Sequence, residues 1–240
     1  MDSLRTLFTS LPATDWGALL LFFGGWIGYA TLAKRWSVSK GSLLVATNRE
    51  RRRWMLQVTY REVRVIDGVV VQNLSTSPSF FASTTILIIG GLLAAMGASE
   101  KATELVRELP FAARTSALVF DLKLALLAAI FVYAFFRFTW SMRQYTFGAL
   151  LVAAAPDFER FAEQGDAARE AFADRAGRLM GMAAETFNDG LRAYYFAFAA
   201  VSWFFSPWAF MAGTLAVISI LYSREFRSDV LAVLKDESGG

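Results

Sequence analysis

Four stretches of the chain are almost free of polar residues and are separated by segments rich in charge. Two of them, residues 16–33 and 79–98, contain no charged residue. A third, residues 116–136, holds two charges near its beginning, and a fourth, residues 193–223, is charge-free but contains Pro207. A helix of roughly 20 apolar residues crosses a bilayer core of about 30 Å. The pattern therefore predicts an all-α integral membrane protein with about four transmembrane helices.

The segment between the third and fourth stretches, residues 137–192, changes character along its length. It begins aromatic, so the third helix is expected to continue past the membrane, and from Asp157 it becomes amphipathic with mixed charge. Apolar residues at helical spacing predict a helix with one apolar face, formed by Phe158, Phe161, Ala168, Phe172, Leu179 and Leu191. Two helices leaving and re-entering the membrane would pack as a cytoplasmic hairpin. The apolar face then either closes the hairpin itself or docks a partner, and both interpretations stay open.

Six arginines lie within residues 48–68, just before the second apolar stretch. Loops rich in Lys and Arg stay in the cytoplasm, so the first interpretation is a topological anchor. The second is a basic helix lying in the membrane interface, with Arg49, Arg53, Arg61 and Arg64 contacting anionic lipid headgroups. Nucleic-acid binding is disfavoured, because no base-reading module accompanies the basic run.

Counts of lysine and arginine orient the predicted helices. High counts alternate with low ones along the chain: one in residues 1–15, nine in 34–78, three in 99–115, seven in 137–192 and three in 223–240. This alternation predicts that the two long connections lie in the cytoplasm and that both termini lie outside.

Pro207 interrupts the fourth stretch about halfway along. A proline inside a helix removes a hydrogen bond and kinks it, or splits the run into a re-entrant pair. Neither half of residues 193–223 spans a bilayer comfortably, so one kinked helix is expected. The first helix is expected to stay in the mature protein, because no small-residue cleavage pattern follows it.

Composition agrees with a membrane protein and narrows the chemistry. Hydrophobic residues make up 55% of the 240 residues and charged residues 19%, with a net charge of +3. One small soluble core cannot hide so much apolar surface, so residues 1–240 are predicted to form a single membrane domain. The chain has no cysteine and no histidine, which removes disulfides, thiolate chemistry and the usual ligands of zinc and haem. No cofactor or metal is expected, and an enzyme is disfavoured because the commonest general base is missing.

Polar residues inside the predicted helices are the candidates for function. Asp121 and Lys123 lie within the third helix, where ionisable groups are costly and are functional candidates by default. They are either interfacial, with Lys123 reaching back to water, or part of an ion or solute pathway together with Ser83, Thr84 and Arg137. Asp121 and Lys123 are two residues apart, so they point to nearly opposite sides of a helix and are not expected to pair.

Small residues four positions apart occur in two predicted helices. These pairs are Gly24 with Gly28 and Gly90 with Ala94. Such spacing lets helix backbones approach closely in membranes. Both pairs are therefore expected to mark helix contacts, within one chain or between chains.

Several sequence blocks resemble a bacterial membrane-protein family known as domain of unknown function 599. They are "NRERRRWM", "SFFASTTILIIGGL", "LPFAARTSALVFDLKLALLAAIFVYAFFRFTWSMRQY", "FNDGLRAYYFAFAAVSWFFSPWAFM" and "LYSREFRSDVL". Arg137 stands where the family pattern has Lys, and Thr146 stands where it has Asn. The resemblance implies a multi-pass bacterial inner-membrane protein and supplies no activity. It draws attention to Phe81, Ser83, Asp121, Lys123, Arg137, Trp140, Arg143, Arg192 and Tyr194.

Two hypotheses about function follow. The first is an oligomeric channel or transporter-like protein for ions or small solutes, because charge lies within a predicted span. The second is a non-catalytic accessory or assembly subunit of a larger membrane complex, which would use the hairpin or the small-residue faces. Expected partners are the lipid bilayer, anionic headgroups, and either further copies of the chain or a larger complex, without nucleic acid.

Overall fold

The computed structural model describes residues 11–98 and 116–236. In these two ranges the chain is helical and forms no strand. The predicted outer connection of residues 99–115, and the terminal residues 1–10 and 237–240 used in the charge count, lie outside the described residues. The helices are α1 Ala13–Lys40, α2 Leu43–Val58, α3 Val65–Gly97, α4 Ala117–Ala153, α5 Phe158–Gln164, α6 Asp166–Val201, α7 Pro207–Phe226 and α8 Asp229–Asp236.

Four helical stretches are long and apolar enough to cross a membrane, which confirms the predicted fold class. They are Ala13–Ala33, Val65–Gly97, Ala117–Ala153 and Pro207–Lys235. The chain is therefore a multi-pass membrane protein. Two of the helices are much longer than a bilayer requires, because α3 begins 14 residues before the predicted span and α4 continues 17 residues beyond its predicted end.

The fourth predicted span is not one kinked helix, so that prediction is wrong. Helix α6 ends at Val201, a single 3₁₀ turn covers Ser202–Phe204, and α7 begins at Pro207. A Cβ built on Gly213 would lie 3.4 Å from the Cα of Ala199, so α7 packs back against the end of α6. Residues 193–223 thus form a pair of helices joined by a tight turn.

The basic stretch is also shorter as a helix than predicted. Helix α2 ends at Val58, where Thr59 is the C-cap. Arg49 and Arg53 lie on this helix, whereas Arg61 and Arg64 follow it in the connection to α3. The prediction that one basic helix carries all four arginines is therefore wrong.

The described residues divide into two compact units, each made of separate stretches of sequence. Unit 1 contains α1 as far as Arg35, α3 from Thr85, α4 as far as Ala134, α6 from Leu191 and α7 as far as Ser223. Unit 2 contains Trp36–Thr84, Phe135–Gly190 and the chain from Arg224 onward. The prediction of a single membrane domain stays a prediction.

In unit 1, helices α1 and α7 run in the same direction. A Cβ built on Gly17 would lie 3.7 Å from Met211, and one built on Gly25 would lie 2.7 Å from Ile218. Later residues of α1 thus contact later residues of α7, as expected for parallel helices. Since α6 ends immediately before α7 begins, α6 runs opposite to α1 and α7. The beginning of α1 and the beginning of α7 therefore lie at the same end of unit 1.

Unit 2 contains the predicted helical hairpin. Helices α4 and α6 pack against each other, with the Ser141 hydroxyl donating to the Ala183 carbonyl at 2.7 Å. Helix α2 crosses α6 with its backbone in contact, because a Cβ on Gly177 would lie 2.9 Å from the Cα of Arg52. The shared core is Met55, Val58, Val71, Tyr145, Val152, Phe161, Phe172, Ala173, Ala176, Met180 and Ala183. Two residues of the predicted apolar face, Phe161 and Phe172, lie in this core, which favours the interpretation that the face closes the hairpin itself.

Candidate functional site

The turn between α6 and α7 is built by serine and proline. The Ser202 hydroxyl donates to the carbonyl of Ala199 at 2.6 Å, a bond that competes with continued helix. Pro207 occupies the first position of α7, where its missing N–H costs nothing. The Ser206 hydroxyl accepts from the backbone N–H of Ala209 at 2.9 Å and caps the new helix. The short sequence "SWFFSPWAF" therefore ends one helix and starts another.

Lys123 lies at this turn and is buried in unit 1. Lys123 is only 2% exposed, and its ammonium donates a hydrogen bond to the carbonyl of Trp203 at 2.9 Å. The ammonium also lies 5.4 Å from the centroid of the Trp203 ring and 5.7 Å from that of Phe204. The indole N–H of Trp203 donates to the Asp15 carboxylate at 2.6 Å. Trp203 thus links a buried cation to a buried anion.

These contacts correct the prediction that Lys123 reaches back to water. A buried ammonium needs hydrogen-bond acceptors and a compensating charge. The carbonyl of Trp203 stands at the end of the helical run, where the helix dipole favours a cation. Lys123 therefore acts as a C-terminal cap for a helix that begins 43 residues further along the chain.

Asp121 lies two residues before Lys123 and has a different environment. Among the described residues, its buried Oδ1 atom has no hydrogen-bond partner and no ion pair joins it to Lys123. This agrees with the expectation that the two side chains point apart. Asp121 is the pathway candidate whose chemistry the described contacts leave unexplained.

The three consecutive hydroxyl residues of α3 differ in how far they are buried. Ser83 is exposed, and the Thr84 hydroxyl donates to the Phe80 carbonyl of its own helix at 2.9 Å. Thr85 is fully buried in unit 1, and its hydroxyl shares a hydrogen bond of 2.7 Å with that of Tyr194. The predicted site named Ser83 and Thr84, whereas the inward-facing residue is Thr85.

Arg137 belongs to unit 2 and forms an ion pair with Asp189 of α6. The pair connects the two helices of the hairpin. Of the five predicted pathway residues, Asp121 and Lys123 lie in unit 1, whereas Ser83, Thr84 and Arg137 lie in unit 2.

The interior of unit 1 is filled by aromatic rings. Trp26 stacks on Phe196 with centroids 5.1 Å apart, and Phe22 lies 5.0 Å from Phe210. Phe210 in turn stacks on Trp203 at 5.3 Å. Phe22, Phe196 and Phe210 have no exposed surface. Close packing of this kind leaves these positions dry.

The arginines of the basic stretch are largely engaged within unit 2. Arg49 donates to the carbonyl of Leu234 at 2.7 Å, and Arg53 donates to Glu50 at 2.9 Å. Arg61 pairs with the fully buried Asp67. The predicted lipid contacts therefore compete with intramolecular partners. Arg53 has the most exposed side chain of these three, at 48%.

Arg51 and Arg52, which the prediction did not single out, also bond within unit 2. Arg51 donates to Thr47 at 2.9 Å and to Asn48 at 2.8 Å, and burial lowers the pKa of its guanidinium. Arg52 pairs with Asp174 and Glu170 of α6. The hydrogen bond that Arg52 donates to the Asp174 carboxylate is the main cause that raises the pKa of Arg52. Both remain cations at physiological pH, because arginine is effectively always protonated.

Several of these cations occupy the same kind of position, at the C-terminal end of a helix. Like Lys123, three arginines donate to carbonyl groups at or just beyond the C-terminal end of a helix, where the dipole is negative. Arg49 does so at the end of α8, Arg64 beyond the end of α4, and Arg169 at the end of α2. Arg169 is 4% exposed and lies 4.2 Å from the centroid of the Tyr60 ring. No local sequence pattern reveals this role, because each capping residue is far along the chain from the helix end that it caps.

The glycines of the small-residue pairs predicted to mark helix contacts make no close contact with other described residues, and a contact between chains stays a prediction. Built Cβ atoms on Gly24, Gly28 and Gly90 meet no described atom within 4 Å. Other glycines make close contacts, among them Gly25 and the i, i+4 pair Gly177 and Gly181. Small residues at spacing four therefore do occur at a close helix contact in this chain, but at Gly177 and Gly181 rather than at the predicted pairs.

A groove of about 480 Å³ opens on the surface of unit 2 where α2 crosses α6. Its floor is Gly177 and Gly181, and a built Cβ on Gly181 would lie 2.8 Å from the Asn48 side chain. Its walls carry both signs of charge and one exposed apolar side chain, Met182. The lining residues are Asn48, Arg52, Asp174, Gly177, Arg178, Gly181, Met182 and Glu185.

Comparison with known proteins yields one family. The family model described as "Protein of unknown function, DUF599" matches residues 17–230. No curated protein and no solved structure matches the chain significantly.

Proposed function

Since the chain belongs to DUF599, a family of proteins of unknown function, we propose that it is a non-catalytic accessory or assembly subunit of a larger membrane complex. The membrane is proposed to be the bacterial inner membrane, as the family resemblance implies. The mixed-charge groove between α2 and α6 is the observation that carries this proposal.

The groove has the properties of a protein-docking surface. Arg52, Asp174, Arg178 and Glu185 supply both donors and acceptors around the exposed Met182, which is 54% exposed. Interfaces combine an apolar centre, in which Met is enriched, with a polar rim. The backbone contact between α2 and α6 holds the two walls in a fixed position. A polar helix or extended segment of another protein, with both signs of charge, fits this chemistry.

Two cations of the predicted pathway support an accessory role over a conduit. Lys123 is engaged with the end of a helix and Arg137 with Asp189. A transport pathway needs groups that can exchange partners with the substrate. Lys123 and Arg137 instead have defined partners that hold helices together.

Site-specific photo-crosslinking in native membranes tests the docking proposal. A photoreactive amino acid replacing Met182 is expected to give one discrete adduct with another protein, identified by mass spectrometry. The same amino acid at Ala162, which is exposed on α5 outside the groove, is expected to give no such adduct. The charge reversal Arg178→Glu is expected to remove the Met182 adduct, because it breaks the complementarity of the groove. Adducts of equal yield at both positions, or none, would contradict the proposal.

A second candidate, an oligomeric channel or transporter for ions or small solutes, is favoured by the buried and unpartnered Oδ1 of Asp121. An intramembrane carboxylate of this kind is a functional candidate. The test is ion flux into liposomes that contain the purified protein. This hypothesis expects flux that falls in Asp121→Asn and in Ser83→Ala. Flux that is absent, or unchanged in both variants, would remove the support that these residues give it.

A further inference from the structure

Helix α3 packs inward along only one narrow stripe. Its buried residues recur on a single side of the helix and are Asp67, Val71, Pro78, Ala82 and Thr85. The opposite side is exposed from the beginning of the helix to its end. Among the described residues, therefore, one full face of a 33-residue helix has no covering element.

The exposed face follows a heptad repeat, which we call the α3 seam. Residues seven apart at position a are Ile66, Asn73, Phe80, Leu87 and Ala94, and those at position d are Val69, Thr76, Ser83, Gly90 and Gly97. All ten are exposed, and none carries a charge. A strict seven-residue repeat makes two helices wind around each other with a left-handed twist. From Thr76 onward, position d holds only small residues, which let helices approach closely in membranes.

The length of α3 argues that protein, rather than lipid alone, covers this seam. A helix of 33 residues is about 50 Å long, whereas the bilayer core is about 30 Å thick. Roughly 13 residues therefore extend beyond the hydrocarbon if the helix crosses without tilt. The extension beginning at Val65 includes Ile66, which is 72% exposed, and Val69, which is 51% exposed. Apolar side chains outside the lipid are stabilised by burial against another apolar surface.

The chemistry of the seam fits a second copy of the same helix. Copies inserted in one membrane share an orientation, so a two-fold axis along the membrane normal sets identical residues face to face. The absence of charge lets identical seams meet without repulsion. Asn73 is the one amide at an a position, and a lone Asn at a is the residue that pairs with itself and fixes the register of parallel two-stranded coiled coils.

We propose that the protein forms a homodimer through its α3 seams, paired parallel and in register. The seam and its flanking residues amount to about twenty residues per copy, similar to one side of a standard protein interface. The dimer surface does not include the groove of unit 2, so the two proposals stand or fall separately. A failed crosslink at Met182 would leave the dimer untouched.

Disulfide crosslinking in native membranes tests the dimer directly, because the chain contains no cysteine. Thr76→Cys and Ser83→Cys, at position d, are expected to form disulfide-linked dimers on mild oxidation. Leu74→Cys is the matched control, since Leu74 is 36% exposed, lies two residues from Thr76 and occupies position b. Cysteines whose Cα atoms are more than about 7 Å apart cannot be bridged. No crosslink at Thr76 and Ser83, equal crosslinking at Leu74, or an adduct with a different protein at the seam would each overturn the proposal.

A charge placed in the seam provides a second, independent measurement. Asn73→Lys sets two like charges opposite each other, and native mass spectrometry from mild detergent is expected to show a monomer. Gln72→Lys adds the same charge one residue away, outside positions a and d, and is expected to stay dimeric. Both residues are exposed, so folding is checked by unchanged helical circular dichroism. A wild-type monomer, or a dimer that survives Asn73→Lys, would overturn the proposal.

Discussion

Replacing Lys123 with methionine is expected to lower the free energy of unfolding by about 1.5–3 kcal/mol, the usual value for a hydrogen bond to a charged group. The substitution keeps the apolar stem but removes the donor to the Trp203 carbonyl. It also leaves the buried Asp15 carboxylate with less compensating positive charge. Thermal unfolding in detergent, followed by tryptophan fluorescence, is expected to show a midpoint lower by roughly 3–12 °C.

Asp121→Asn is the matched control for this experiment. It removes a charge two residues away on the same helix, where Oδ1 has no described hydrogen-bond partner. Asp121 is partly buried, and neutralising a carboxylate whose buried Oδ1 has no hydrogen-bond partner among the described residues removes a desolvation cost. The melting temperature is therefore expected to stay the same or rise. Lys123→Arg keeps the charge and is expected to fall between Lys123→Met and wild type. A Lys123→Met protein as stable as wild type would show that the cap contributes nothing.

Single cysteines at the two ends of unit 1 are expected to report opposite membrane sides. Helices α1 and α7 run in the same direction, so the beginning of α1 and the end of α7 lie at opposite ends. Thr14→Cys and Phe205→Cys are expected to react with a membrane-impermeant maleimide from one side, and Ser223→Cys from the other. All three residues are exposed. The cysteine-free chain makes each label unambiguous.

This topology experiment separates the helix pair from the single kinked helix expected from sequence. One helix over residues 193–223, with four crossings, would set Thr14 and Ser223 on the same side. In the helix pair, α7 runs in the same direction as α1 within unit 1, so Thr14 and Ser223 lie at opposite ends of that unit. Labelling of Thr14→Cys and Ser223→Cys from the same side would therefore contradict the parallel arrangement of α1 and α7.

The difference between expectation and structure at Pro207 has a local cause that the sequence displayed. "SPW" contains a serine that caps the following helix and a proline suited to its first position. The hydropathy of residues 193–223 is uniform, however, and hydropathy alone does not register a change of direction. At this position the helix-capping residues therefore indicate the break between two helices better than hydropathy does.

The groove and the capping cations could not be predicted from the sequence, for a different reason. The Lys123 donor and its acceptor are 80 residues apart in sequence, those of Arg64 and Ala155 are 91 apart, and those of Arg169 and Thr59 are 110 apart. No local pattern marks such a pair, since an arginine at a helix end and an arginine in solvent have the same neighbours in sequence. For this reason lipid contacts were predicted for Arg61 and Arg64, although Arg61 pairs with Asp67 and Arg64 donates to the Ala155 carbonyl.

Sequence by itself determined the helical class, four membrane-crossing helices and the hairpin, because hydropathy over 20 residues and periodicity along a helix are local properties. Membership in DUF599 was equally present in the sequence blocks. Only the tertiary structure decided which charges are committed to helix ends, which small residues touch another backbone, and which face of α3 is exposed. Those outcomes depend on the positions of distant segments, and a buried charge takes whichever partner the fold brings within hydrogen-bonding distance.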